Sequence, residues 1–365
     1  MSSVLSVHNK YILVTHIDIL VKQDMGSYYK DKVVLVTGGV GSIGSQLVRQ
    51  LLSFDPKSLI ILDNNETGLF DLQKGLHSDK IHVLIGDVRD AERMKTVLTG
   101  VDIVFHAAAL KHVPLCEYNP YEAVKTNIIG TQNILDAAIR NHVQKVIMIS
   151  TDKAVNPINT MGASKYLAER LTISANNHQR NENTVFSVVR FGNVLNSRGS
   201  IIPIFLQQLA DSQPLTVTDV EMTRFVMTIP EAVNLVLKAG EIAKGMEIFI
   251  LKMPVLKIIN LAKVMVQHLA SKYNYDAANY PIEIIGKRVG EKLYEELMTE
   301  QESAFAYENN EMFVVYPSDT SEAKRKELIS QQSGFTEVPY GEFSSRTARC
   351  IDDSEISKYL DDVLL

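Results

Sequence analysis

Two short stretches carry residue types that could do chemistry. The first is Thr37-Gly38-Gly39-Val40-Gly41-Ser42-Ile43-Gly44, lying between an apolar run and a helical pattern. Glycines at 38, 41 and 44 permit a tight turn, close backbone approach to a pyrophosphate and close helix-sheet packing, while the helix N-terminus adds unpaired amide donors. Gly38, Val40, Gly41, Ser42, Ile43 and Gly44 are therefore expected to hold a dinucleotide. Asp63 follows at the end of the next apolar run, at the distance from the turn where a carboxylate meets an adenosine ribose diol. It would repel a 2′-phosphate, and its neighbours Asn64, Asn65 and Glu66 include no arginine, so NAD is favoured over NADP. Asp87-Val88 is placed to hold the adenine edge, and Ala107-Ala108-Ala109 lets a cofactor pass over a strand end, so Val88, Ala107 and Ala109 join the expected binding set. The second stretch is Ser150-Thr151-Asp152-Lys153, followed by Met161-Gly162-Ala163-Ser164-Lys165. Ligands bind beyond the carboxyl ends of parallel strands, so this group falls where a nicotinamide and its substrate would meet. Met161 and Lys165 are four apart at a helix start and share a face.

The elements that must position these groups alternate from Lys32 onward. KVVLVTG reads as a strand ended by glycine, Ile43 to Leu52 as a helix, and LIILD as a second buried strand. HVLIGD, DIVFHAAA, a helix from about Tyr121 to Arg140, and KVIMIST continue the pattern. A helix from about Gly162 to Asn176 and the strand VFSVVRFGNV follow. This repetition predicts an α/β fold: a Rossmann-type doubly wound parallel sheet with helices on both faces. Beyond about Asn196 the order is less regular, with short elements around PLTVTD, FVMTI and EIFIL, and it reads as a smaller C-terminal lobe. The expected division is an N-terminal extension over 1–30, a dinucleotide-binding domain over 31–195, a substrate-binding lobe over 196–300 and a C-terminal extension over 301–365 with no assigned role.

Composition narrows the partners. The chain has 365 residues, 45% of them hydrophobic, with a net charge of −6, so its surface as a whole does not attract polyanions and nucleic acid is not expected. Cys116 and Cys350 are far apart, without metal-ligand spacing, which argues against a zinc site and a disulfide framework and fits the cytoplasm. The longest N-terminal apolar stretch, Tyr11 to Val21, contains His16 and Asp18 and falls short of the about 20 apolar residues a spanning helix needs. No membrane anchor is expected. The stretch is a peripheral strand or helix, or translation begins at Met25.

TGGVGSIG, AAALKHVPLCEYNP, STDKAVNPINTMGASK, RFGNVLNSRGSIIPIF, MTRFVMT and RVGEKLYEEL occur in this order between about Lys32 and Glu300. Together they resemble the UDP-N-acetylglucosamine 4,6-dehydratases of polysaccharide and glycoprotein sugar biosynthesis, members of the extended short-chain dehydrogenase/reductase superfamily. The resemblance implies a lyase with recycled NAD. Hydride leaves sugar carbon 4, the ketone acidifies the carbon-5 proton, water is lost across carbons 5 and 6, and hydride returns to carbon 6. It also implies Lys153 as the base, Asp152 as the acid, and Lys165 as the residue that holds the nicotinamide ribose and supplies positive potential to the alkoxide at carbon 4. To act so, Lys153 needs its pKa depressed by burial or by cations such as Lys165, and Asp152 needs its own raised. Met161 stands where the superfamily's Tyr-x-x-x-Lys pair has tyrosine. A thioether cannot accept a proton, so the carbon-4 hydroxyl must lose its proton through Thr151, Asp152, a water or the cofactor ribose.

By the same resemblance, Lys111, Asn193, Arg224 and Arg288 line a pocket for the diphosphate of a UDP-N-acetylhexosamine, and the protein is a homo-oligomer. His112 reads as a structural neighbour. Two other readings share part of this pattern. A 4-epimerase has the same fold and cofactor but no use for the Asp152-Lys153 pair, and it would want the missing tyrosine. A noncatalytic NAD-binding protein would bind the cofactor without turning over any UDP-hexosamine. Retention and inversion at carbon 5 are both compatible with these residues.

Overall fold

The computed structural model describes residues 26–273, 275–332 and 334–364; the run Tyr11 to Val21 and Met25 lie outside the described residues. Runs rich in Val, Ile and Leu form β1 (Val33–Thr37), β2 (Ser58–Asp63), β3 (Ile81–Ile85), β4 (Ile103–His106), β5 (Lys145–Thr151) and β6 (Val185–Phe191). Strands covered on both faces need no polar alternation, and these pair in parallel in the order β3-β2-β1-β4-β5-β6. This is the doubly wound arrangement predicted from the alternation. The strand order reverses between β1 and β4, paired from Val34 with Ile103 to Thr37 with His106. The crevice beyond their carboxyl ends is where such a sheet takes a ligand.

Helix α1 (Ser42–Leu52) follows β1, α2 (Gly130–Arg140) precedes β5, and α3 (Thr160–Ser174) joins β5 to β6. The helix expected from Tyr121 to Arg140 runs without a break from Pro120 to Arg140, but Val124–Ile129 within it is wound as a π-helix. The buried Asn127 lies in that wider turn. Its side chain accepts from the Leu110 N–H at 2.8 Å and donates to the Leu110 carbonyl at 3.0 Å and to Ser164 Oγ at 2.9 Å. The chain after β4 is thereby tied to α3. Rare π turns of this kind cluster at functional sites.

The sheet does not stop at β6. Ile248–Leu251 adds in parallel beside it, and Met312–Val315, Ala306–Glu308 and Thr336–Glu337 follow in antiparallel order, giving ten strands. The boundaries expected at 195 and 300 are therefore crossed by one sheet, because short apolar runs late in the chain complete an edge begun by residues before 195. Residues 301–365, given no role from sequence, contribute three of these strands. The remainder of the lobe has its own core, in which Phe205, Met265, Ile356 and Leu360 are buried together, and a three-stranded sheet of Val255–Lys257, Thr223–Met227 and Asn193–Val194. At the other end, Tyr29 from the expected N-terminal extension is fully buried, its hydroxyl donating to the Leu237 carbonyl and its ring stacked on Phe54.

One buried charge locks the two parts together. Arg190 of β6 donates to both carboxylate oxygens of Glu169 on α3, at 3.1 and 2.7 Å, to both oxygens of Glu302, at 3.1 and 3.0 Å, and to the Leu297 carbonyl at 2.9 Å. Bidentate pairing of this kind compensates a guanidinium taken out of water. It fixes α3 against the strand Glu296–Met298.

Candidate active site

A cleft of about 570 Å³ opens where the strand order reverses, and Gly38, Val40, Gly41, Asp63, Asp87, Val88, Ala107, Ala109 and Lys111 line it. Its floor is backbone. Gly38 has φ of +65°, and a Cβ there would stand 2.7 Å from the Ala108 nitrogen; a Cβ on Gly44 would stand 2.2 Å from the Gly38 carbonyl oxygen. The turn thus depends on missing side chains, as a cradle for a pyrophosphate requires. Asp63 accepts from the N–H groups of Val40 at 3.1 Å and Asn65 at 3.0 Å, which ties its carboxylate to the glycine turn. Asp87 is bound by Arg89, which also donates to Glu122 at 3.0 Å; the Arg89 hydrogen bonds hold the Asp87 carboxyl below its ordinary range. Ser42, Ile43 and Gly44 form the first turn of α1. These groups fit a dinucleotide.

The residues expected to react meet beside this cleft, at the end of β5. Asp152 is fully buried; its Oδ1 accepts from Thr151 Oγ1 at 2.7 Å and from Lys153 Nζ at 3.0 Å, while Oδ2 has no partner. Lys153 Nζ also lies 3.5 Å from Asn193 Oδ1 and 3.5 Å from Glu295 Oε1. A Cβ on Gly162 would stand 2.2 Å from the Lys153 carbonyl oxygen, so α3 approaches the reacting turn backbone to backbone. Met161 is buried with Cys116 and Ala123. Lys165 donates to the Ile149 carbonyl at 2.6 Å, and burial pulls its pKa down to about 8, partly offset by Glu169. Behind it, burial pushes His106 down to about 3, and its ring bridges Thr37 at 2.7 Å and Thr131 at 3.1 Å.

The expectation of a depressed Lys153 is not met. Burial does pull it down, but the carboxylates of Asp152 and Glu295 outweigh that pull and Arg224 opposes them only in part, so the ammonium is held above the ordinary lysine value. Lys165 is not the cation beside it; Arg224 is.

The residues expected to grip a diphosphate separate. Asn193 and Arg224 gather near Lys153, with Arg224 buried and donating to the carbonyls of Thr223 at 2.7 Å, Leu293 at 3.2 Å and Lys292 at 2.9 Å. Lys111 instead lines the dinucleotide cleft, its Nζ 2.9 Å from the Arg198 carbonyl, with burial lowering its pKa. Arg288 is on an exposed loop. His112 packs against Gly199. Three residues with a place here escaped the sequence reading. Glu295 is buried, and burial raises its carboxyl against the pull of Lys153. Arg198 reaches over the glycine turn, its guanidinium on the Val40 carbonyl and its N–H 3.1 Å from Ser42 Oγ. The third is Asn127. Glu295 and Arg198 lie inside blocks that carry the family resemblance, but neither has a local spacing that singles it out.

The model of the polysaccharide biosynthesis protein family matches residues 34–317. A Methanocaldococcus jannaschii protein named an uncharacterized membrane protein is 54% identical over 93% of this chain and 98% of its own length. A UDP-N-acetylglucosamine 4,6-dehydratase (inverting) from Campylobacter jejuni is 41% identical over 86% of this chain and 89% of its own. Among solved structures, Pen from Bacillus thuringiensis superposes with a TM-score of 0.85 at 40% identity, covering 92% of this chain and 98% of its own. UDP-glucose 4-epimerase from Rickettsia canadensis is 42% identical over 76% of this chain and 81% of its own. A dTDP-glucose 4,6-dehydratase from Streptomyces venezuelae, solved with NAD bound, has a TM-score of 0.61 at 25% identity over 71% of this chain and 86% of its own. The chain belongs to the polysaccharide biosynthesis family of extended short-chain dehydrogenases that contains the UDP-N-acetylglucosamine 4,6-dehydratases. Its relatives make it an enzyme of the dehydratase or epimerase type with a nicotinamide cofactor. No helix among the described residues is long and apolar enough to cross a membrane.

Proposed function

We propose that this family member is a 4,6-dehydratase acting on a UDP-N-acetylhexosamine, with UDP-N-acetylglucosamine as the preferred substrate and NAD as a recycled cofactor. The observation that carries the reading is the pairing of a fully buried Asp152 with Lys153 at the carboxyl end of β5, beside the dinucleotide cleft. A 4-epimerase needs proton and hydride exchange at carbon 4 alone and has no work for this pair.

A bound nicotinamide supplies reversible hydride transfer, so that oxidation at carbon 4 is undone at carbon 6. The chain supplies the proton chemistry. Thr151 already donates to Asp152 Oδ1, and it passes the carbon-4 hydroxyl proton to that carboxylate in place of the absent tyrosine. Lys165 sets positive potential next to the developing alkoxide. Asp152, now protonated, hands its proton to the departing carbon-6 hydroxyl, which leaves as water. Its neutralisation also removes one of the two anions that keep Lys153 charged, easing loss of the ammonium proton to solvent; the free amine takes the carbon-5 proton and, once hydride has reached carbon 6, gives a proton back to carbon 5. Asn193 orients that amine.

The test is NMR of purified protein with UDP-N-acetylglucosamine and NAD in deuterated water. The reading expects a 4-keto-6-deoxy product carrying solvent deuterium at carbon 5. A carbon-4 epimer without carbon-5 deuterium identifies an epimerase, and cofactor binding with no turnover identifies a noncatalytic protein.

A further inference from the structure

We infer that Glu295 is a positioning residue of this centre: its carboxylate, opposite Asp152, clamps Lys153 Nζ and so sets the pH at which carbon-5 proton abstraction begins. The inference rests on the reading of Lys153 as the base. Two observations and one physical rule carry it. Glu295 Oε1 lies 3.5 Å from Lys153 Nζ, with the carboxylate buried and its Oε2 without a partner. The backbone at and before it is fixed: Ser345 Oγ accepts the Glu295 N–H at 2.9 Å, and Arg224 holds the carbonyls of Lys292 and Leu293 with its Nε 3.9 Å from Glu295 Oε1. And a buried carboxylate with an unsatisfied oxygen is costly unless a charge answers it.

The charged groups facing the Lys153 amine are Asp152 on its own turn, Glu295 from the chain before Glu296–Met298, and Arg224 from Thr223–Met227. From α3, the helix packed on the same turn, Lys165 is directed to the Ile149 carbonyl and Glu169 to Arg190. Glu296 is paired with Lys292. Two anions and two cations thus make one near-neutral buried cluster. Removing either anion makes the amine easier to deprotonate, and removing Arg224 makes it harder.

Solvent deuterium uptake at carbon 5, followed against pH, reads this directly. Glu295→Gln, which keeps the shape and removes the charge, is expected to move the acid limb of the profile down by about one pH unit or more. Glu295→Asp is expected to return it toward the wild-type position, and Arg224→Gln to move it upward. A limb that stays in place in Glu295→Gln, or that moves the same way in Glu295→Gln and Arg224→Gln, overturns the clamp. Lys153→Met separates the two claims. Loss of exchange in that variant with an unmoved limb in Glu295→Gln sinks the clamp and leaves Lys153 as base, whereas exchange at the normal rate in Lys153→Met sinks the reading of the base itself.

Discussion

The dinucleotide cleft and the reacting centre adjoin each other, yet they are built on opposite principles. The cleft is made of backbone and of small residues close in sequence: glycines 38, 41 and 44 on one turn, alanines 107–109 after β4, and Asp63 held to the turn by the Val40 N–H. The reacting centre is made of charge. Asp152, Lys153, Arg224 and Glu295 come from three separate parts of the chain, and each depends on the others to be stable out of water. A cradle built from absences tolerates no added atom. A cluster built from compensating charges tolerates a change of shape better than a change of ionisation.

The comparison breaks first, and hardest, at the charges. Asp152→Asn removes the proposed acid while keeping its volume, and turnover is expected to fall by about 10²–10⁴-fold, with NAD affinity in titration changed only a little. An equal loss of cofactor binding would mean that the two regions are not separable. Next come the two close approaches. Gly44→Ala puts a Cβ 2.2 Å from the Gly38 carbonyl oxygen and is expected to weaken NAD binding by roughly a hundredfold. Gly162→Ala puts one 2.2 Å from the Lys153 carbonyl oxygen and is expected to cost about 10²-fold in turnover through misplacement of the reacting turn, with the cofactor still bound.

The smallest effect concerns Lys165, buried in α3 with its amine on the Ile149 carbonyl. Its folded pKa is depressed from 10.5 to about 8, so between those values the unfolded chain binds a proton that the folded chain does not. Stability of the cofactor-free protein therefore rises with pH across that window, and the buried ammonium costs stability below it. Lys165→Met is expected to flatten that rise in thermal melts, by at most about 3 kcal/mol.

The same contrast explains what was legible in the sequence. The glycine turn, its helix and Asp63 obey local spacing rules, so the turn and a doubly wound parallel sheet built from β1 to β6 could be read directly. Asp152 and Lys153 were legible through their place after an apolar strand and through family resemblance. Glu295 was not, because its meaning comes from meeting a lysine 142 positions earlier, and nothing in LYEEL distinguishes it from the paired Glu296. For the same reason the depressed Lys153 was expected wrongly: burial was foreseen and the second carboxylate was not. The late strand Ile248–Leu251 reads as a short isolated element, since only the edge of β6 gives it a partner, and Met312–Val315 finds its own partner only in that strand.

In the proposed cycle hydride departs from one sugar carbon and arrives at another. UDP-N-acetylglucosamine labelled with deuterium at carbon 4 follows it, read by NMR of the product. Recovery of the label in the carbon-6 methyl group of a 4-keto sugar is the predicted result; recovery at carbon 4 of an epimerised sugar would contradict it.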